Sequence, residues 1–201
     1  MVNVQIASQF EEFLPSEEIV TTAEAVLNQY AEEAKVIMVA NGDAPGTPRQ
    51  AYFGADEFGF GRALAQAVVN AGVTEGKVLV GSCYPPALPL QQRETGVKEI
   101  FAEYPNVEVI VFDSTAEQTT NYAAWENVIT AHPDIKAGIG LCTFEGPTFA
   151  DLMPKSDVEF VTVTADLIPE TLDAIKKGDV DAAIGQHPFL QGYLPIYYMA
   201  K

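Results

Sequence analysis

Lys77-Val78-Leu79-Val80-Gly81-Ser82 is a short apolar run, and Val107-Glu108-Val109-Ile110-Val111-Phe112-Asp113 follows it with one helical pattern between them. Mostly continuous apolar runs of this kind are what strands need when both faces of a parallel sheet are covered. Working outward, similar segments recur at Ala137–Cys142, Glu159–Thr164 and Ala182–Gln186, and upstream at Val36–Ala40 and Val2–Ser8. Amphipathic helices lie between them. Ser16 caps a pattern carrying Ile19, Ala23, Val26, Leu27 and Tyr30, with Glu17 and Glu18 in its first turn. Asp56 precedes another with Phe60, Leu64, Ala67, Val68 and Ala71, which Gly72 ends. Further helices are predicted from about Leu90 to Tyr104, Gln118 to His132 and Pro169 to Lys177, each closed by a turn signal such as His132-Pro133-Asp134 or Lys177-Gly178-Asp179. Repeated strand–helix–strand units with right-handed crossovers make an α/β fold, a doubly wound and mostly parallel sheet flanked by helices. Asn41–Arg49, with its glycines and prolines, suits a hinge or a domain edge.

The chain has 201 residues and a formal charge of −17, with 48% hydrophobic and 19% charged residues. That apolar fraction builds a core and excludes disorder as the main state. The acidity, with cations scattered singly or in pairs, argues against nucleic-acid binding. No apolar run is long enough to span a bilayer. Met1-Val2-Asn3-Val4 leads straight into a strand pattern without a basic leader, so the chain is read as cytoplasmic or as having lost a signal.

In open α/β sheets, ligands bind beyond the carboxyl ends of the strands, near the point where strand order reverses. Here that row reads Ser82-Cys83-Tyr84, Asp113-Ser114, Cys142-Thr143-Phe144, Ala165-Asp166 and Gln186-His187. Rings mixed with carboxylate, amide and hydroxyl groups suit a polyhydroxylated ligand, whose hydroxyls need donors and acceptors and whose C–H faces stack on rings. The plainer reading is that polar residues collect wherever strands meet loops. Signatures of catalysis are poor. Gly81-Ser82-Cys83 lacks the spacing of a nucleophile elbow, and no phosphate-binding glycine loop opens a helix. A Cys83–His187 pair is the one candidate nucleophile and base, while His132 reads as helix-ending. No cofactor is implied, and two cysteines with two histidines do not compose a metal site. If the strand order from Lys77 onward is 2-1-3-4-5, the strands ending at Cys83 and Cys142 are neighbours. The two thiols are then either unrelated and buried, which is the plainer reading, or joined in a disulfide.

From about Ala34 to Lys201 the chain resembles the carboxyl-terminal lobe of the type I periplasmic sugar-binding proteins, the ribose-binding-like solute receptors of ABC importers, a family related to LacI-type effector domains. The resemblance rests on stretches in family order. These are Val36–Asn41 with Gly42-Asp43-Ala44-Pro45-Gly46, Tyr52-Phe53-Gly54-Ala55-Asp56 with Gly61, and Gly76–Gly81. Arg93-Glu94-Thr95-Gly96, Ala131–Ala137, Ala174–Gly178 and Gln186-His187-Pro188 with Gly192-Tyr193 complete the series. It implies a Rossmann-like lobe in which Arg93 reaches the hydroxyls of a sugar, Asp166 accepts from them and Gln186 supplies an amide near the hinge. Where the family usually offers Asn-Asp, this chain has Cys142-Thr143, which argues against a simple pentose; Phe144 and Tyr84 give rings instead. Residues 1–40 are read as a strand-helix-strand remnant of a first lobe or a relocated tail, and 41–201 as the ligand-binding lobe, ending in a Gly192–Lys201 helix.

The resemblance further implies a truncated or engineered form with weak binding or none alone. It also implies a small polar ligand such as a sugar, an ABC permease as partner in the intact family, a periplasmic setting and possible self-association, while the acidity already argues for no nucleic acid. The rivals are an effector domain of a LacI-type regulator and a small Cys/His hydrolase.

Overall fold

The computed structural model describes residues 38–40, 42–43 and 46–200. The strand expected at Val2–Ser8 and the helix expected after Ser16 lie outside the described residues. The chain divides into two compact units, Met1–Ala55 with Gln186–Lys201, and Asp56–Gly185.

In the first unit, β1 (Met38–Ala40) pairs in parallel with β2 (Ala51–Phe53), Met38 opposite Ala51. The irregular connection between them carries an ion pair, Arg49 Nε to Asp43 Oδ1 at 2.5 Å, with a second bond from Nη2 at 2.7 Å. The last helix begins earlier than the sequence suggested, at Pro188 instead of Gly192, because proline fits a helix's first turn. It presents a ladder of stacked rings, Phe189 on Tyr193 and Tyr193 on Tyr197, at the i, i+4 spacing of one helix face.

The Asp56–Gly185 unit has the expected architecture. Its elements run α1 (Glu57–Asn70), β3 (Gly76–Ser82), α2 (Leu88–Phe101), β4 (Val107–Asp113), α3 (Gln118–Ala131), β5 (Ile135–Gly140), α4 (Glu145–Leu152), β6 (Val161–Ala165), α5 (Pro169–Lys177) and β7 (Ala182–Ile184). The sheet order is β4-β3-β5-β6-β7 with every pairing parallel, which is the 2-1-3-4-5 order. β5 starts and ends two residues earlier than its apolar run suggested, and α4 was not foreseen.

Strand periodicity divides the core between the two faces. Val78 and Val80 point with Leu64, Val68, Val97 and Ile139 into one cluster under α1 and α2. Leu79, between them, points the other way to Trp125, Phe149 and Phe160 under α3, α4 and α5. Asp56 caps α1 by accepting from Gly59 N–H at 3.0 Å. α1 and α2 cross at two glycines. A Cβ on Gly61 would lie 1.9 Å from Arg93 O, and one on Gly96 would lie 2.1 Å from Phe58 O, so only glycine permits this backbone approach.

Candidate functional site

The chain order reverses between β3 and β5, and the two strand ends there are joined covalently. Cys83 follows β3, Cys142 follows β5, and the two form a disulfide with Cα atoms 6.1 Å apart. Of the two readings open in the sequence, the disulfide is therefore the one realised, and the bond sits at the topological switch point where ligands of this architecture bind. It also removes the candidate nucleophile. Cys83 has no thiolate to offer and no free cysteine is present among the described residues, so the Cys83–His187 pair is corrected. His187 caps the last helix in a left-handed conformation (φ 53°), and His132 closes α3 through its backbone N–H.

The turn Leu141–Phe144 links β5 to α4, and each of its residues is tied to a different element. Leu141 donates its N–H to Gly81 O at 3.0 Å and accepts from Arg93 Nη1 at 2.7 Å. Cys142 carries the disulfide and donates its N–H to Glu145 Oε2 at 3.1 Å. The Thr143 hydroxyl donates to Asp166 Oδ2. Phe144 O accepts from Gln118 Nε2 at 3.3 Å and from Thr148 N–H at 3.2 Å.

Arg93 lies on the buried face of α2 at 5% exposure. Its Nε donates to Glu57 Oε2 at 2.5 Å, and the guanidinium stacks 4.2 Å above the Phe60 ring. Both partners of this ion pair are buried, so each charge depends on the other and on the hydrogen bond to Leu141 O for the hydration it has lost. Asp166 follows β6 in the left-handed region (φ 69°), which aspartate tolerates better than most residues, and its N–H donates to Ile184 O at 2.7 Å. Thr143, Phe144, Tyr84 and Asp166 are all half-buried. The structure thus joins Thr143 to Asp166 directly, and Arg93 to the same turn through Leu141. Gln186 clusters with the first unit, where its carbonyl accepts from Gln191 Nε2 at 2.8 Å. In the row of strand ends, Ser82 is buried, while exposed Asp113 accepts from Thr115 N–H at 2.9 Å.

Glu145, absent from the sequence-based candidates, is fully buried at the start of α4. Its Oε1 accepts from Ser114 Oγ at 2.6 Å and Asn121 Nδ2 at 3.3 Å, and Oε2 from Cys142 N–H. Burial pushes this carboxyl up to about 7 against the pull of those hydrogen bonds. Asn121 extends the network, since its Oδ1 accepts from Thr148 Oγ1 at 2.6 Å and its Nδ2 donates to Ser114 O at 2.9 Å. Gly140 leaves room for this side chain, since a Cβ there would lie 2.2 Å from Glu145 Cβ. Among the described residues no cluster of metal-ligating side chains occurs.

The family model for the periplasmic binding protein domain matches residues 20–201. The xylose/arabinose-binding protein XylF of Sulfolobus acidocaldarius is 24% identical over 155 residues, covering 74% of this chain. The chain spans 38% of that protein's length. Among solved structures, an ABC transporter solute-binding protein of Burkholderia graminis in complex with D-arabinose superposes with a TM-score of 0.84 at 20% identity. The match covers 98% of this chain and 74% of that one. GanP, a glucose-galactose binding protein of Geobacillus stearothermophilus, gives 0.83 at 22% identity, over 93% of this chain and 66% of its own. The chain belongs to the periplasmic binding protein domain family. No helix among the described residues is long and apolar enough to cross a membrane.

Proposed function

We propose that the Asp56–Gly185 unit binds a sugar or similar small polyol at the carboxyl ends of its strands, as the ligand-binding part of a solute receptor serving an ABC importer. The observation that carries this reading is the Thr143–Asp166 pair, held next to the switch point with half-buried Phe144 and Tyr84 following the disulfide-linked strand ends. A carboxylate oriented by a hydroxyl accepts from sugar hydroxyls, the hydroxyl group can donate or accept, and the rings cover C–H faces. Relatives described as binding arabinose, xylose, glucose or galactose point to the same ligand class. The disulfide fits the oxidising, extracytoplasmic setting of the family. The role is binding instead of catalysis, and it rests on residues of this one unit. Arg93, expected to touch the ligand, is assigned the support of Leu141 as its first task.

Thermal melting with D-arabinose, D-xylose, D-glucose and D-galactose at millimolar concentration tests the reading. A sugar at 100 times its dissociation constant adds roughly 2.7 kcal/mol. The shift should shrink in Asp166→Asn and Thr143→Val. A cooperative melt that no sugar moves, or an undiminished shift in Asp166→Asn, overturns it.

A further inference from the structure

Four consecutive residues, Leu141 to Phe144, are each fastened to a separate part of the fold: β3 and α2, the Cys83 loop and Glu145, Asp166 after β6, and Gln118 of α3. Connections of this kind normally run free over the surface. Here the anchoring is denser than chain connection demands, and it is concentrated on Cys142. The disulfide holds the side chain of Cys142 from the β3 side. Glu145, fully buried, holds its N–H from the side of β4 and α3 through Ser114 and Asn121. The next two residues are the ones with chemistry for a ligand.

We propose that the Cys83–Cys142 disulfide and Glu145 are positioning groups for the ligand wall, fixing Cys142 from two sides so that Thr143 and Phe144 meet a sugar already ordered. The proposal rests on the sugar-binding reading above. Ordering a mobile turn at the moment of binding subtracts from affinity, and a turn ordered beforehand removes that cost. The cross-link joins the two strand ends at the switch point itself, so the turn that carries Thr143 and Phe144 leaves β5 from a covalently fixed position.

Two folded variants test this, Cys83→Ser with Cys142→Ser, and Glu145→Gln, which keeps the shape but turns one acceptor into a donor. Each is compared with the oxidised wild type by calorimetric titration with D-arabinose, D-xylose and D-glucose, well below the melting temperature. Amide hydrogen exchange of the peptide spanning Leu141–Phe144 is followed in parallel. Both variants should bind the wild type's sugar about tenfold or more weakly, as expected for a wall that must be ordered on binding. Exchange should accelerate within that peptide, while circular dichroism shows the fold intact. Should the cysteine variant not fold, Glu145→Gln carries the test alone. Wild-type affinity in the folded variants, or unchanged exchange at Leu141–Phe144, overturns the proposal by showing that the anchors serve stability only. A wild type that binds none of the sugars refutes the sugar-binding reading instead and the ligand half of the proposal with it, while exchange reports separately on whether the anchors order the turn.

Discussion

Glu145 gives the protein a stability profile opposite to that of an ordinary carboxylate. Its folded-state value of about 7 lies above the ordinary 4.5, so the folded chain binds this proton more tightly than the unfolded one. The stability it contributes is fully present below 4.5 and is lost as pH rises through about 7. Roughly 2.5 pH units at 1.36 kcal/mol each amount to about 3 kcal/mol, a large share of a typical domain's total. Groups of the usual kind act elsewhere. Glu117, held down by the N–H groups of Thr119 and Thr120, and Asp134 and Asp173, held down by Lys77 and Lys176, lose their small contributions only in more acid solution. The net charge of −17 also relaxes on acidification, with the same sign as Glu145. The comparison with Glu145→Gln, neutral throughout, therefore isolates the carboxyl. Urea unfolding followed by the fluorescence of Trp125, the one tryptophan, at about pH 5 and about pH 8 should show wild type losing roughly 2 to 3 kcal/mol more than the variant across that interval, since a part of the total is already lost at pH 5. Parallel losses in the two proteins would refute the burial argument.

Three further outcomes follow from the same contacts. Reducing the disulfide, whose cysteines are 59 residues apart, should cost about 4 kcal/mol by loop-closure entropy, read as a drop in melting temperature with dithiol present. Arg93→Met strands the buried Glu57 carboxylate and should cost about 3–5 kcal/mol in urea unfolding, while adding Glu57→Gln should recover much of the loss. Gly96→Ala, with its Cβ 2.1 Å from Phe58 O, forces α1 and α2 apart and should cost about 1–3 kcal/mol by the same assay.

The sheet was legible because its signals are local. Val78-Leu79-Val80 reads as a strand buried on both faces before any partner is known, and Asp56 and Gly178 mark helix ends by their own chemistry, Gly178 with φ 86°. α4 was missed because a helix of eight residues, Glu145–Leu152, carries too few turns to establish a period. The role of Glu145 was illegible for a different reason. Its partners Ser114 and Asn121 stand 31 and 24 positions away, and only the folded sheet brings them around it. The cysteines were intermediate, since strand order made them neighbours but neighbourhood alone does not make a bond.

Arg93 shows how a residue's place in a sequence pattern leaves its role undecided. The structure puts it with Gly96, Val97 and Ile100 on the buried face of α2, where a lone charge requires a partner. Glu57 supplies that partner, and Leu141 O takes a second hydrogen bond. An arginine so engaged holds Leu141 in place whether or not it also meets a sugar. Losing it exposes three things at once: an unpaired Glu57, a loosened Leu141 and any missing ligand contact. Loss of binding in an Arg93 variant therefore cannot by itself assign a contact. Asp166→Asn is the cleaner probe, because asparagine removes the charge while keeping an oxygen that accepts from the Thr143 hydroxyl, and the Arg93–Glu57 pair and the disulfide do not involve it.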